Sequence, residues 1–532
     1  MALRSNESPG VTIKEIDLSG TVPAVGSTTG AFIGDFAWGP VGEPVFVTNE
    51  SELVSTFGSP KDGGSSADFL AVSQFLKYSG SAFVTRASAG TTAKAPSQEL
   101  LDANQAVVDA QDALAEEQAK ETPDDDVVAA LTTALNDAVA AQSQVDEEST
   151  PVMAKYPGEQ GNNLKVVVAT VTESVLGVDG TSTSVTTKTV DVEYDGDVVE
   201  SYANLTETVG DERYIVEYVN RRSNWIELSQ SPQAGTFDLD GGSNAPSGNL
   251  QSDYEAAYGD VDQIQIDFMV AHNSDLDISA LAGIAQNQRK DCIVVASPPS
   301  LPSSLENVVD DWAESLPSTS YLVLDGNWVQ VYNKYLDQYE FIPACSSTAG
   351  IMASTDISAA PWFSPAGTRR GQYFGVSALA FNPTKGERDQ MYAARVNPIV
   401  SMPGQGTVLF GDKTALARPS AFDRINVRRL FLVIERAIGE AAKNVMFELN
   451  DDFTRAEFTN IVEPFLREVQ GRRGITDFRV VCDETNNTAE VIDRNEFVAS
   501  CFIKPARSIN YVTLNFVAVR TGVEFEEVVG TV

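Results

Sequence analysis

Histidine is almost absent from this chain: His272 stands alone among 532 residues. A catalytic triad or a zinc site would have to be built around that one imidazole. No Gly-x-Ser-x-Gly elbow or His-Glu-x-x-His pair accompanies it, so both kinds of chemistry have little to work with. Its place at the end of the apolar run 264–271 is where open α/β sheets hold ligands, and this keeps one alternative open, an α/β enzyme with a helical lid. Cysteine is scarce as well. Cys292, Cys345, Cys482 and Cys501 show no Cys-x-x-Cys spacing, and all four are expected to be reduced and structural. Basic residues are outnumbered, with 37 Lys and Arg against 75 Asp and Glu, for a formal net charge of -38. Phosphate backbones are bound through clustered Lys and Arg, so nucleic acid is excluded as a partner and anionic membrane surfaces are disfavoured.

Long apolar runs are missing too. Nothing approaches the ~20 residues of a membrane span, so direct membrane insertion is not expected. The opening Met1-Ala-Leu-Arg-Ser-Asn-Glu7 lacks the apolar core of a signal peptide, and the protein is expected to be made and kept in a cytoplasm until assembly. Two motifs fall short of a cofactor or metal site. In Gly406-Thr-Val-Leu-Phe-Gly411-Asp-Lys413-Thr414, Asp412 separates glycine from lysine and would aim an anion at a bound phosphate. A turn closing onto a strand is expected there instead. Asp191-Val-Glu-Tyr-Asp-Gly-Asp197 starts like a calcium loop, but Tyr202 stands where the twelfth-position glutamate belongs. A hairpin turned at Asp195-Gly196 is the better reading. No catalytic residue, cofactor or metal is assigned.

What is present describes an ordinary folded protein, 42% hydrophobic and 21% charged. Its length calls for about three or four domains. Residues 1–25 form an extended arm in which Val11, Ile13 and Ile16 cannot bury their own apolar surface. Residues 26–95 carry strand, turn and helix signals. Residues 96–150 turn acidic and alanine-rich, with Thr122-Pro-Asp-Asp125 capping a second helix, and form an inserted helical hairpin. Residues 151–250 are β-rich, with runs at 166–171, 184–194, 214–219 and 225–228. Residues 251–420 alternate buried-strand runs at 264–271, 292–296 and 321–324 with helix signals at 276–288 and 305–316, as an α/β domain does. Residues 421–532 form a C-terminal core ending in a strand where Val512, Leu514, Phe516 and Ala518 share one face. The fold class is therefore α+β and multidomain.

The most informative segment is Asp423-Arg-Ile-Asn-Val-Arg-Arg-Leu-Phe-Leu-Val-Ile-Glu-Arg-Ala-Ile-Gly439. Leu430, Ile434, Ala437, Ala441 and Val445 give the spacing of one buried helical face. Arg428 and Arg429 sit near the helix start, where the macrodipole favours acids. Together with Arg436 they are expected to meet anionic partners, either inside this acidic chain or on another one.

This segment, running on to Val445-Met-Phe-Glu-Leu-Asn-Asp451, resembles the tail sheath proteins of contractile-tailed phages. So do Ser8-Pro-Gly-Val-Thr-Ile-Lys-Glu-Ile-Asp17, Gly30-Ala-Phe-Ile-Gly34, Trp38-Gly-Pro40, Phe57-Gly-Ser-Pro60, Phe83-Val-Thr-Arg86, Pro157-Gly-Glu-Gln-Gly-Asn162, Gly404-Gln-Gly-Thr-Val-Leu-Phe-Gly411 and Lys504-Pro-Ala-Arg-Ser-Ile-Asn-Tyr-Val-Thr-Leu-Asn-Phe516, in family order. The resemblance implies a non-enzymatic virion subunit with a tail-sheath-like C-terminal core. Such a subunit stacks in hexameric rings around a tail tube, meets baseplate and tail terminator proteins, and contracts to drive the tube through a host envelope. A sheath from a phage-like bacteriocin or another contractile injection system shares these features. The apolar faces at both termini are then expected to complete sheets of neighbouring copies.

Overall fold

The computed structural model describes residues 28–95, 98–118, 120, 125–142, 151–176, 182–245, 247–248, 250–271 and 274–510. They fall into two compact units, one within Gly26–Ser358 and Pro365–Arg418, the other made of Ala359–Ser364 and the chain from Pro419. Ala359–Ser364 thus joins the C-terminal unit although it lies inside the 251–420 stretch.

The larger unit is organised by a seven-stranded sheet in the order Val396–Asn397, Leu322–Asp325, Ile293–Ala296, Phe268–Ala271, Gly30–Gly34, Ala82–Arg86, Val45–Val47. Every neighbouring pair is parallel except the last, whose antiparallel edge strand closes the sheet. Strands covered on both faces need apolar side chains at every position, and Phe-Met-Val-Ala and Ile-Val-Val-Ala supply them, fully buried. Alternation divides those side chains between two faces. Ala31, Ile33, Met269, Val294 and Leu324 pack with Tyr254, Tyr258, Ile278 and Leu281 from helices Leu250–Tyr258 and Asp275–Gly283. On the opposite face Phe75, from helix Ser66–Leu76, meets Phe32 and Phe268 with ring centroids 5.2 and 6.3 Å apart. Helix Cys345–Ser358 lies beside it, and Gly350 permits the approach, since a Cβ there would come within 2.6 Å of the Tyr78 ring.

The β-rich part carries a four-stranded antiparallel sheet ordered Asp197–Leu205, Ser182–Tyr194, Leu164–Leu176, Gly235–Asp238. The hairpin of Ser182–Tyr194 with Asp197–Leu205 turns at Asp195 and Gly196, both with positive φ (51° and 89°), the geometry of a two-residue primed turn. Residues 214–219 depart from the strand expected there: Ile215–Arg222 is a helix. Ile215 and Val219, one turn apart, are buried, while Glu217 and Arg221 take the other side. A helical period lay beneath the β-branched composition, and tertiary burial decided between the two. Arg86, at the end of its strand, ties the sheet to this region. Its buried guanidinium donates to the carbonyls of Phe36 (2.7 Å), Pro157 (2.6 Å), Gly39 (3.3 Å) and Ala37 (3.3 Å). Burial lowers its pKa to about 10, so it stays charged at neutral pH.

Between these regions helices Gln98–Gln118 and Asp125–Gln142 form the expected hairpin. It springs from a closed stem: Ala95 N–H donates to the Val152 carbonyl at 2.9 Å, and Ala154 N–H to the Ala93 carbonyl at 2.8 Å. The chain therefore leaves and re-enters the fold at paired residues. Joining Pro96 to Ser149 through a short Gly-Ser linker is expected to leave a folded subunit that still assembles. Loss of soluble protein on expression of that variant would place the hairpin in the core.

Candidate assembly surfaces

The C-terminal unit is built on two helices, Ile425–Ala442 and Asp452–Gly471. Leu430 and Ile434 of the first pack with Phe458, Val462, Leu466 and Val469 of the second. The second helix is started by Asp451, whose side chain accepts from Thr454 N–H at 2.9 Å. Trp362 is held in this core by two bonds, its indole N–H to the Arg472 carbonyl at 3.0 Å and its own carbonyl to Asn426 Nδ2 at 3.2 Å.

Arg428 and Arg429 are buried in the first helix, 6% and 4% exposed, and Arg436 is half-buried. The Arg428 guanidinium stacks 4.2 Å from the Phe422 ring, and Phe422 packs edge-on against Phe431 at 4.8 Å. Glu435 lies within electrostatic reach of Arg428. The structure therefore gives Arg428 an aromatic face as well as a carboxylate. Aromatic stacking of this kind is open to a planar guanidinium, and the expectation of acids alone left it out.

Against these helices lies a sheet of two strands, Ile475–Val481 and Ser500–Pro505, paired antiparallel. Phe478, Val480, Cys501 and Ile503 face the core but are only half-buried, while Arg479 and Phe502 point outward, Phe502 61% exposed. Among the described residues no third strand joins either outer edge. A two-stranded sheet is marginal alone, and the inner face of this one is only half covered. Between the two helices the chain also exposes Met446, Phe447 and Leu449, and Phe453 follows at the start of the second helix; Phe447 is exposed completely and has a φ of 69°. Exposed apolar side chains grouped in this way mark an interaction surface. The signal available in the sequence was three large apolar residues within one inter-helix turn. The terminal positions Val11, Ile13, Ile16, Val512, Leu514, Phe516 and Ala518 lie outside the described residues, as does His272.

At the carboxyl ends of the parallel strands, where an enzyme would hold its substrate, the larger unit has a closed polar network. Ser297 and Thr348 donate to Asp325 at 2.6 and 2.7 Å, and the Tyr373 hydroxyl reaches Thr348 at 2.8 Å. Ser297, Asp325 and Thr348 are 0% exposed. Such a fully hydrogen-bonded buried network specifies a core. The phosphate-loop lookalike is also internal structure. Strand Gly406–Leu409 pairs with Ile399–Met402, Lys413 Nζ donates to the Tyr392 carbonyl at 2.7 Å, and Asp412 accepts from the Tyr392 hydroxyl at 3.2 Å. No helix among the described residues is long and apolar enough to cross a membrane.

Two solved structures that share this fold are sheath tail proteins. A sheath tail protein from Listeria innocua superposes with a TM-score of 0.57 at 15% identity, covering 91% of this chain and 96% of that one. One from Desulfitobacterium hafniense gives 0.54 at 14% identity, covering 93% and 100%. The class is thus a sheath-fold protein. At the sequence level, the phage tail sheath protein central domain family matches residues 251–415 and the phage tail sheath C-terminal domain family matches residues 417–518. The tail sheath protein of Vibrio phage KVP40 is 31% identical, with 98% of this chain and 99% of that protein covered. That of Enterobacteria phage T4 is 30% identical over the same shares. The chain belongs to the tail sheath protein family of contractile phages, and it is a structural subunit of the virion.

Two predictions follow from the buried charges. Burial pushes the Asp325 carboxyl up to about 7. The folded state therefore holds an extra proton between the unfolded pKa near ~3.9 and that value. The stability this confers is complete below about pH 4 and is lost as pH rises toward 7, at up to ~1.4 kcal/mol per pH unit. Thermal melts from pH 4 to 7 should show wild type losing stability relative to Asp325→Asn as pH rises, and identical slopes in the two proteins would refute the assignment. Separately, Arg429, 4% exposed, gives a test of where its partner lies: Arg429→Ala is expected to lower the stability of the free subunit by about 2 to 5 kcal/mol if it strands a buried carboxylate within its own unit. An unchanged melt accompanied by lost assembly would instead place its function at an interface.

Proposed function

We propose that this subunit polymerises in hexameric rings around a tail tube, between a baseplate and a tail terminator, and that its contraction drives the tube through the host envelope. Assembly takes place in the host cytoplasm, and the role is mechanical, with no catalysis. The observation that carries this reading is the incomplete sheet Ile475–Val481/Ser500–Pro505, whose open edges and half-buried inner face fit strands donated by neighbouring copies. Val512, Leu514, Phe516 and Ala518, and on a smaller scale Val11 and Ile13 before Glu15 breaks the pattern, alternate as such strands must. Each large side chain so buried contributes about 1.5 to 3 kcal/mol. Backbone pairing survives a change of angle between the bodies it links, so rings could contract by rigid-body movement while the strands remain inserted.

A sheath of a phage-like bacteriocin or injection device is the neighbouring reading, since the contracted helical sheath of the anti-feeding prophage shares the fold at a TM-score of 0.53. The phage relatives, matched over almost their whole length, favour the phage tail.

Deleting residues 1–17, or changing Leu514 and Phe516 together to Asp, is expected to abolish tubes in electron micrographs. Circular dichroism of the arm deletion should remain that of the folded subunit. Normal tubes from the arm deletion would sink the strand-exchange mechanism.

A further inference from the structure

Strands Leu164–Leu176 and Ser182–Tyr194 pair without a break from Leu164 opposite Tyr194 to Leu176 opposite Ser182. Their neighbours cover only the base of this hairpin. Gly235–Asp238 pairs with Lys165 to Val168, and Asp197–Leu205 pairs with the partner strand from Lys188 to Tyr194. Residues 171–176 and 182–187 therefore form a bare ribbon, about 20 Å long at ~3.3 Å per residue, with no third strand on either edge among the described residues. Val171, Thr172 and Thr186 are exposed.

A free two-stranded ribbon is marginally stable, and exposed edges in soluble proteins are usually blunted with lysine, proline or bulges. None of these is present here. Residues 171–176 read Val-Thr-Glu-Ser-Val-Leu and residues 182–187 read Ser-Thr-Ser-Val-Thr-Thr, with one carboxylate, Glu173, and no base, glycine or proline. The pairing is also unbroken along this stretch. The ribbon is thus an edge prepared for another strand.

We infer that this ribbon adds edge to edge onto a β-strand of a second copy of this chain, making an intersubunit contact separate from the terminal strands. Charge selects that occupant. Copies with a formal charge of -38 repel one another, and contact costs least where carboxylates are sparse, as they are along this ribbon. Main-chain pairing by β-branched residues also needs no complementary charge on the partner. The inference rests on the chain assembling with its own copies, and the experiment separates the two.

The test uses the full-length chain in three forms. Wild type is compared with a variant in which residues 171–187 are replaced by Asn-Gly, which joins the paired Thr170 and Lys188 through a two-residue turn, and with Thr186→Cys. The shortened variant is expected to melt like wild type but to need at least about tenfold more protein to form tubes. Maleimide labelling of Thr186→Cys, corrected for the native cysteines by labelling wild type, is expected to slow about tenfold or more on assembly. Tubes from the shortened variant at the wild-type concentration would overturn the inference. So would equal labelling of Thr186→Cys in tubes and in free subunits, which would leave the ribbon facing solvent or a different molecule, and this second measurement stands even where the shortened variant fails to fold. Failure of wild type itself to form tubes would count against the sheath reading and against the ribbon contact with it.

Discussion

Self-repulsion is the constraint that everything else in this protein must accommodate. A chain with 75 acids, 37 basic residues and a formal charge of -38 stays soluble as a free subunit for the same reason that its copies resist packing together. Salt shortens the range of that repulsion to about 10 Å at 0.1 M, but contact still requires an attraction that does not depend on opposite charge. Backbone hydrogen bonding between strands is such an attraction, since N–H and C=O groups are supplied by every residue except proline. Both candidate attachment features use it: the two-stranded sheet Ile475–Val481/Ser500–Pro505 with its open edges, and the bare ribbon at 171–176 and 182–187.

Attachment by strands is useful mechanically only if the bodies they connect do not deform. In the larger unit, rigidity comes from strands buried on both faces and from polar groups satisfied deep inside. Arg86 binds four carbonyls, and Asp325 is held by two hydroxyls. Each is costly to bury and worse to leave unpaired, so a local distortion that broke one of these contacts would be opposed by several kcal/mol. In the C-terminal unit the same service is done by Trp362, fixed at its indole N–H and its carbonyl. A two-state packing change at the joins between subunits would leave such bodies intact.

The sequence was most legible where periodicity was strong. The helix at Ile425–Ala442, the parallel strands Phe268–Ala271, Ile293–Ala296 and Leu322–Asp325, the Asp195-Gly196 turn and the helical hairpin all carry signals within a few residues of the elements they become. It was least legible where composition and period disagreed, as at Ile215–Arg222, or where a helix changes its winding. The run 276–288 reads as one helix, but the chain passes from α to π geometry at Ile284 and ends at Lys290 with a φ of 62°. Nothing in a single sequence reports that change, because the side-chain pattern is nearly the same. The candidate surfaces were half visible. The terminal alternation can be seen in the residues alone, but an unfilled sheet edge or an exposed Phe447 is a property of what fails to pack nearby, and that is known only once the fold is built.

The two long excursions from the larger unit show how composition separates solvated surface from contact surface. The helical hairpin satisfies its own backbone through intrahelical hydrogen bonds, so it can stand in water without a partner. Its helices carry acids along their length, Asp109, Asp112 and Asp137 among them, which adds to the repulsion between copies. The ribbon cannot satisfy its outer N–H and C=O groups internally, and it has shed nearly all charge. A purely solvated ribbon would gain from added lysine or glutamate at no structural cost. The same chain thus places acids on the excursion whose hydrogen bonds are complete and withholds them from the one whose hydrogen bonds are not, as expected if the second edge is completed by another subunit.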